Sequence, residues 1–511
     1  MKLLGRISLL LIGLIAFATI TLWILAKNIK PETIQQLVNN QITAITHKPS
    51  HINGDISWQL FPRPGLKFNK IQIGDEALNK DYTFTVNTLL LNLKITPLLR
   101  GNFVFSEINI NGLNVKINLD SPHVETNPQP NEKIKSSDTK SQFAIEKLII
   151  NDGQITLTRN NKNTILKNIQ VGMEQFNLNN NPFPVQIKAR LIQSPYSEQT
   201  KASINFKGRI NLAPGIFNNW DNDVFHSAVD GQLLVQNISY DQLRIKKINA
   251  TIKTLDNAIR FKPLTLSMYE GESVGDMTYS LATQILSINQ TATNLDGSKL
   301  MAALIGNDVI NGTLDYSLHV NLPLAEPSTK SVNGKGSITM KDGALSHVNL
   351  DQLLVQIKER LSQVLSGKKL NINDISQLGN WSQNKFNEGN TPFKLASVLF
   401  ELADAKMNST SLLLQTNTLQ VTGTGTINLL NHQLFSSLQA TINSNNPDTM
   451  LQKIQHALGG NFPLLISGTI EQPLITPNLK IINPLLSKLL IKTTLDKPLK
   501  ELESQLKGLI H

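Results

Sequence analysis

The chain has 511 residues, 40% hydrophobic and 17% charged, with no cysteine. The missing cysteine excludes thiol catalysis, Cys-ligated zinc, disulfides and a lipid anchor on an N-terminal Cys. Plentiful Ile, Leu and Val exclude a chain disordered by composition. A net charge of +10 without a long Lys/Arg run, and only 5% aromatics that do not interleave with the basic residues, exclude the pattern of a nucleic-acid reader. A weak attraction to anionic lipid surfaces is the expected consequence.

Residues 1–6 read as a short cytoplasmic tail. Residues 7–26, ISLLLIGLIAFATITLWILA, carry no charge and span roughly 30 Å as a helix, the thickness of a bilayer's hydrocarbon. Ile7, Leu14, Phe17, Trp23 and Leu25 mark this expected anchor, with Trp23 at an interfacial depth. Ala16-Phe17-Ala18 fits a signal-peptidase site, but the apolar run continues beyond it, which favours a retained anchor with the N-terminus inside. In residues 27–50, Ile34, Leu37, Val38, Ile42 and Ile45 follow helical spacing and predict a juxtamembrane helix starting near Pro31.

From residue 51 to 119 the pattern is strand-like. GDISWQLFPRPGLKFNKIQIGD, Gly54 to Asp75, places Trp58, Phe61 and the turn Pro62-Arg63-Pro64-Gly65 ahead of an alternating stretch. The reading is a chain reversal, with Trp58, Phe61, Pro62, Pro64 and Gly65 capping the membrane-proximal end of a sheet. Alternation continues at Leu89-Leu91-Leu93 and Val115-Ile117, one face apolar and the other rich in Asn, Thr, Ser, Gln and Lys. Residues 120–142 are polar and Pro-rich and read as a linker. Strand alternation fills 143–345 and most of 346–482. Asn111-Gly112, Asp152-Gly153 and Asp342-Gly343 follow apolar runs and predict tight hairpins. Within 346–482, Leu350, Leu353, Leu354, Ile357 and Leu361 predict a helix over 349–366, capped by Asn349 and Gly367. Residues 483–511 read as amphipathic helices divided at Pro498.

The search for chemistry nominates no catalytic, cofactor or metal residue. Gly271-Glu272-Ser273-Val274-Gly275 matches G-x-S-x-G, but a nucleophile elbow needs a helix after the Ser, and here the sequence alternates like a strand. The motif reads as a turn between strands at 264–268 and 277–281. His47 and His51 are four apart, with Pro49 breaking the helix that a shared metal needs. Gly423-Thr424-Gly425 lies in a strand pattern without the Lys of a phosphate loop.

So many one-sided strands need a second layer or a ligand. Two packed sheets, or a sheet curved into a groove that meets acyl chains, both satisfy the pattern.

The ordered series GDISWQLFPRPGLKFNKIQIGD, LLLNLKITPLLRGNFVFSEINING, IEKLIINDGQITL, YEGESVGDMTYSL, GKGSITMKDGALSHVNLDQLL, LQVTGTGTINLLNHQL and PLLISGTIEQPLITPNLK resembles the AsmA family over nearly the full length. The resemblance implies a bacterial inner-membrane protein, single-pass with a cytoplasmic N-terminus and a periplasmic body, serving outer-membrane biogenesis or phospholipid homeostasis. Together with the patterning it gives the expected fold: mainly β, an elongated, curved antiparallel sheet, groove-like or two-layered, with a few amphipathic helices. The expected activity is non-enzymatic phospholipid transport or homeostasis, with phospholipid acyl chains as partners. Outer-membrane protein assembly partners are the second expectation, nucleic acid is not one, and no cofactor is expected. The alternative is a periplasmic scaffold that regulates outer-membrane protein targeting without binding lipid.

Overall fold

In the computed structural model the described residues are 50–59, 65–73, 82–94, 105–118, 144–159, 162–177, 179–194, 200–213, 224–306, 309–325, 328–365, 389–443, 448–478, 480–482 and 484. The expected anchor (Ile7, Leu14, Phe17, Trp23, Leu25), the juxtamembrane helix, Phe61, Pro62 and Pro64, the linker at 120–142, Gly367 and the helices from 485 onward lie outside them. Among the described residues no helix is long and apolar enough to cross a membrane.

The protein is mainly β. The first compact unit runs to Leu266 and includes Thr278–Ala282. It holds β1 (Ser50–Ile52), β2 (Ile56–Gln59), β3 (Gly65–Ile73), β4 (Tyr82–Leu93), β5 (Phe105–Asn118), β6 (Ala144–Arg159), β7 (Lys162–Asn177), β8 (Phe183–Ser194), β9 (Thr200–Asn211), β10 (Ala228–Tyr240) and β11 (Leu243–Leu255). β1 and β2 both pair with β3, and each later strand pairs with the one before it. Gln59 opposes Gly65 in an antiparallel pair, so the chain does reverse between β2 and β3. Gly65 is required there, because a Cβ would stand 2.5 Å from the Leu91 carbonyl oxygen.

The second unit comprises Ser267–Met277 and the chain from Thr283. It holds β14 (Ile285–Asp296), β15 (Ile310–Pro323), β16 (Asn333–Ser346), β17 (Asn390–Ala403), β18 (Lys406–Gln415), β19 (Leu419–Asn428), β20 (Leu434–Ile442), β21 (Phe462–Gly468) and β22 (Pro473–Pro477), paired in chain order and antiparallel. β12 (Ala258–Met268) and β13 (Gly271–Ser280) have residues in both units. Its helices are α1 (Gly297–Ile305), α2 (Leu350–Leu365) and α3 (Thr449–Ala457). The helix expected over 349–366 is α2, and Asn349 Oδ1 accepts from Gln352 N as the expected cap.

Two expectations need correction. β5 and β6 pair parallel, with Glu107 beside Lys147, so the sheet of the first unit is not wholly antiparallel. The Asn-Gly and Asp-Gly pairs do not turn hairpins. Gly112 lies inside β5, Asp152 inside β6 and Asp342 inside β16, with φ of 66°, 53° and 49°. The register shifts around Gly153, and again opposite Lys341 where β15 meets β16. Asp152 and Asp342 supply the left-handed backbone that a β-bulge needs, the same chemistry that a hairpin needs, whereas Gly112 takes its positive φ where β4 and β5 keep register. Asp342→Val is therefore expected to lose about 1–2 kcal/mol, since a β-branched residue resists the left-handed region and the exposed side chain contributes little packing. Asp342→Gly should stay within a few tenths of wild type, and urea midpoints of the two variants check this.

Candidate functional site

Strand register aligns the apolar positions of the first unit into rows. One row runs Phe68, Leu89, Ile110, Ile150, Val171, Ile187, Phe206, Leu233, Ala250, each the register partner of the next across β3 to β11. A second runs Leu66, Leu91, Ile108, Leu148, Met173, Val185, Gly208, Gly231, Ile252. At about 4.8 Å per strand, each row is a continuous apolar track of roughly 38 Å. Phe68, Leu89 and Ile110 are fully buried, while Ile187 and Leu233 are partly exposed. At Gly208 and Gly231 the two backbones face each other under the Phe206 ring, and a Cβ on either would stand within 3 Å of its Cζ.

The second unit repeats the device. Ala292, Tyr316, Ile338, Val398, Leu412, Gly423, Leu438, Leu464 and Pro477 form one row across β14 to β22. Leu295, Leu314, Met340, Ala396, Leu414, Val421, Ala440 and Phe462 form its neighbour. The middle of these rows faces a cavity of about 240 Å³, and among the described residues that line it Ser397 is the only polar one. Ile338, Val398 and Leu412 are partly exposed into it. Leu350, at the start of α2, lines it as well.

Specific contacts fix the helices around this face. Leu350 N donates to Thr391 Oγ1, which donates to Val348 O, tying α2 to the start of β17. Thr418 Oγ1 donates to Asp351 Oδ1 at 2.7 Å. Asp448 caps α3 by accepting from Met450 N and Leu451 N, and its other oxygen pairs with Lys358 on α2. The Lys358 hydrogen bond is the main cause that holds the Asp448 carboxyl below the usual carboxylate range. A carboxyl lowered by folding stabilises above its unfolded pKa, and that stability is lost as pH falls through the folded value. The α2–α3 tie should thus be constant at neutral pH and fail only below about pH 4. Amide exchange in α3 at pH 7 and pH 3 checks this, with Asp448→Ala expected to cost about 1 kcal/mol at pH 7.

The opposite face is polar. Asn289 Nδ2 donates to Asp276 Oδ1 at 3.0 Å, and the Asn289 amide oxygen meets His319 Nδ1. Lys341 pairs with Asp315 at 2.8 Å and holds that carboxyl below its ordinary value. Each unit therefore presents one apolar face in register and one solvated face. That arrangement can hold a long apolar molecule without chemistry on it.

A family model for the AsmA family matches residues 1–203 and 188–412. The chain belongs to the AsmA family. No curated protein and no solved structure matches it.

The structure of this AsmA-family chain places the sequence motifs as follows. Trp58 sits in β2 opposite Leu66, and Gly65 opens β3 opposite Asn92. The G-x-S-x-G motif is not the turn itself; the hairpin turns at Tyr269 and Glu270, both at positive φ, and Gly271–Gly275 lies in β13. No helix follows the Ser. Ser273 is buried, donates to Gln290 Oε1 at 2.6 Å and accepts from the Tyr316 hydroxyl at 3.0 Å. His51 lies exposed in β1, His47 is outside the described residues, and Gly423–Gly425 lies in β19. Among the described residues no group of carboxylates and histidines could hold a metal. Sequence reasoning missed α1 and α3, and the cavity residues Ile338, Val398 and Leu412, whose signal is alternation alone.

Proposed function

We propose that this AsmA-family protein is a non-enzymatic envelope protein that holds phospholipid acyl chains along its apolar faces. In this reading residues 7–26 anchor it in the bacterial inner membrane, its body lies in the periplasm, and it serves outer-membrane biogenesis or phospholipid homeostasis. Trp58, Phe61 and the turn to Gly65 then form the membrane-proximal end of the sheet.

The observation that carries the reading is the apolar cavity at the middle of the second unit's rows. Its lining is almost wholly apolar, so it suits hydrocarbon rather than water. Each methylene transferred contributes about 0.8 kcal/mol, so affinity needs a continuous lining and no polar anchor. The register rows supply that lining. The scaffold alternative requires an open sheet edge for client strands, but β22 is five residues long and has Pro473 and Pro477 at its ends, which disfavours strand addition there.

Native mass spectrometry of the full-length protein tests the proposal. Phospholipid should be retained in stoichiometric amounts and lost from a Val398→Asp variant of unchanged fold. A lipid-free protein, or lipid retained equally by that variant, would count against it.

A further inference from the structure

The basic residues of the first unit are not scattered once the strands are in register. On the face opposite the apolar rows, Lys167 of β7 stands beside Arg190 of β8, and the same row continues through Ser203 and Gln236 to Lys247 of β11. Lys188 lies two residues from Arg190 on the same strand and face. Lys207 and Arg209 share that face on β9, in register with Gln186 and Pro184, and Lys201 joins them beside Ile192. Lys253 completes it on β11, opposite Asp230. Across β7 to β11 this face thus carries eight basic residues against two acidic ones, Glu174 and Asp230. Asp230 meets Lys253 at only 4.0 Å, with both side chains well exposed. The second unit differs: Lys341, Lys299 and Lys358 each pair with a carboxylate, and the stretch 283–478 holds twelve basic and thirteen acidic residues.

Like charges placed directly across a strand pair cost stability, and Lys167 beside Arg190 is such a pair. Solubility requires net charge but not this juxtaposition. Apart from Tyr240 at the very end of β10, these strands present no aromatic on that face, so it lacks the series of stacking platforms that single-stranded nucleic acid requires. What fits is a broad surface of closely spaced phosphates that needs neither pockets nor bases.

We propose that the outer face of β7–β11 docks on an anionic lipid surface, with the apolar face turned away from the headgroups. This is independent of whether lipid occupies the apolar rows. Each basic residue near such a surface contributes about 1 kcal/mol, and salt screens the attraction.

The test uses full-length protein held in nanodiscs of neutral lipid and immobilised. Vesicles of phosphatidylcholine, with or without about one-third phosphatidylglycerol, are the probe. The protein should capture the anionic vesicles, fail to capture the neutral ones, and release them at high salt. A variant with Lys188→Gln, Arg190→Gln, Lys207→Gln and Arg209→Gln, all exposed positions, should bind roughly 1,000-fold more weakly. A charge-matched control with Lys335→Gln, Lys394→Gln, Lys406→Gln and Lys453→Gln, exposed in the second unit, should bind like wild type. Equal loss in both variants, equal capture of neutral vesicles, or undiminished binding by the first variant would overturn the proposal. Lipid co-purifying with each protein is measured before nanodisc assembly; its absence while capture of anionic vesicles persists would count against the proposed function and support this one.

Discussion

Replacing Ala396 with Phe is expected to abolish lipid retention in the second unit while leaving the fold intact. Ala396 sits between Met340 and Leu414 in register and lines the cavity. It is partly exposed rather than packed, so a ring can enter existing space and the overpacking penalty of a filled core does not apply. The ring takes up most of the volume that a chain segment needs. Displacing about four methylenes forfeits roughly 3 kcal/mol, or about 100-fold in affinity. Lipid content by mass spectrometry should drop accordingly, and the thermal midpoint should hold or rise. Unchanged lipid content would mean that the cavity is not where hydrocarbon sits.

The second large effect is expected at Phe206. Its ring covers the one place in the first unit's rows where two facing glycines leave the sheet bare. Phe206→Ala removes that cover, and no neighbouring side chain can fill the gap because Gly208 and Gly231 have none. The loss should be about 3–5 kcal/mol, a large part of a typical domain's stability. A denaturant series followed by amide exchange in β9 and β10 checks it, with protection of these strands expected to fall first.

Alternation at Leu89-Leu91-Leu93 or Val115-Ile117 made strands legible, because period two has one physical meaning. Asp152 and Asp342 were misplaced for an equally physical reason: a residue tolerant of positive φ serves a bulge as well as a hairpin, and the local sequence does not say whether the partner strand runs on. α1 and α3 are nine residues long, too short for a clear helical period, although Asp296 and Asp448 cap their starts. The parallel β5–β6 pair has no signal in either strand. The basic face was hidden because period two spaces its lysines and arginines among inward apolar residues, so no run exists until register assembles it. The cavity was hidden likewise: Ile338, Val398 and Leu412 come from three strands and meet only through pairing.

The central claim is that lipid lies against the apolar face and not against the polar one. Photo-crosslinking in cells from a benzophenone side chain at Val398, with Thr339 as the control, tests it most directly. Val398 lines the cavity opposite Ile338, and Thr339 is the next residue of β16 and points to the other face. The account predicts a phospholipid adduct at position 398 and little or none at 339. Equal labelling at both positions, or a protein adduct in place of lipid at 398, would contradict it.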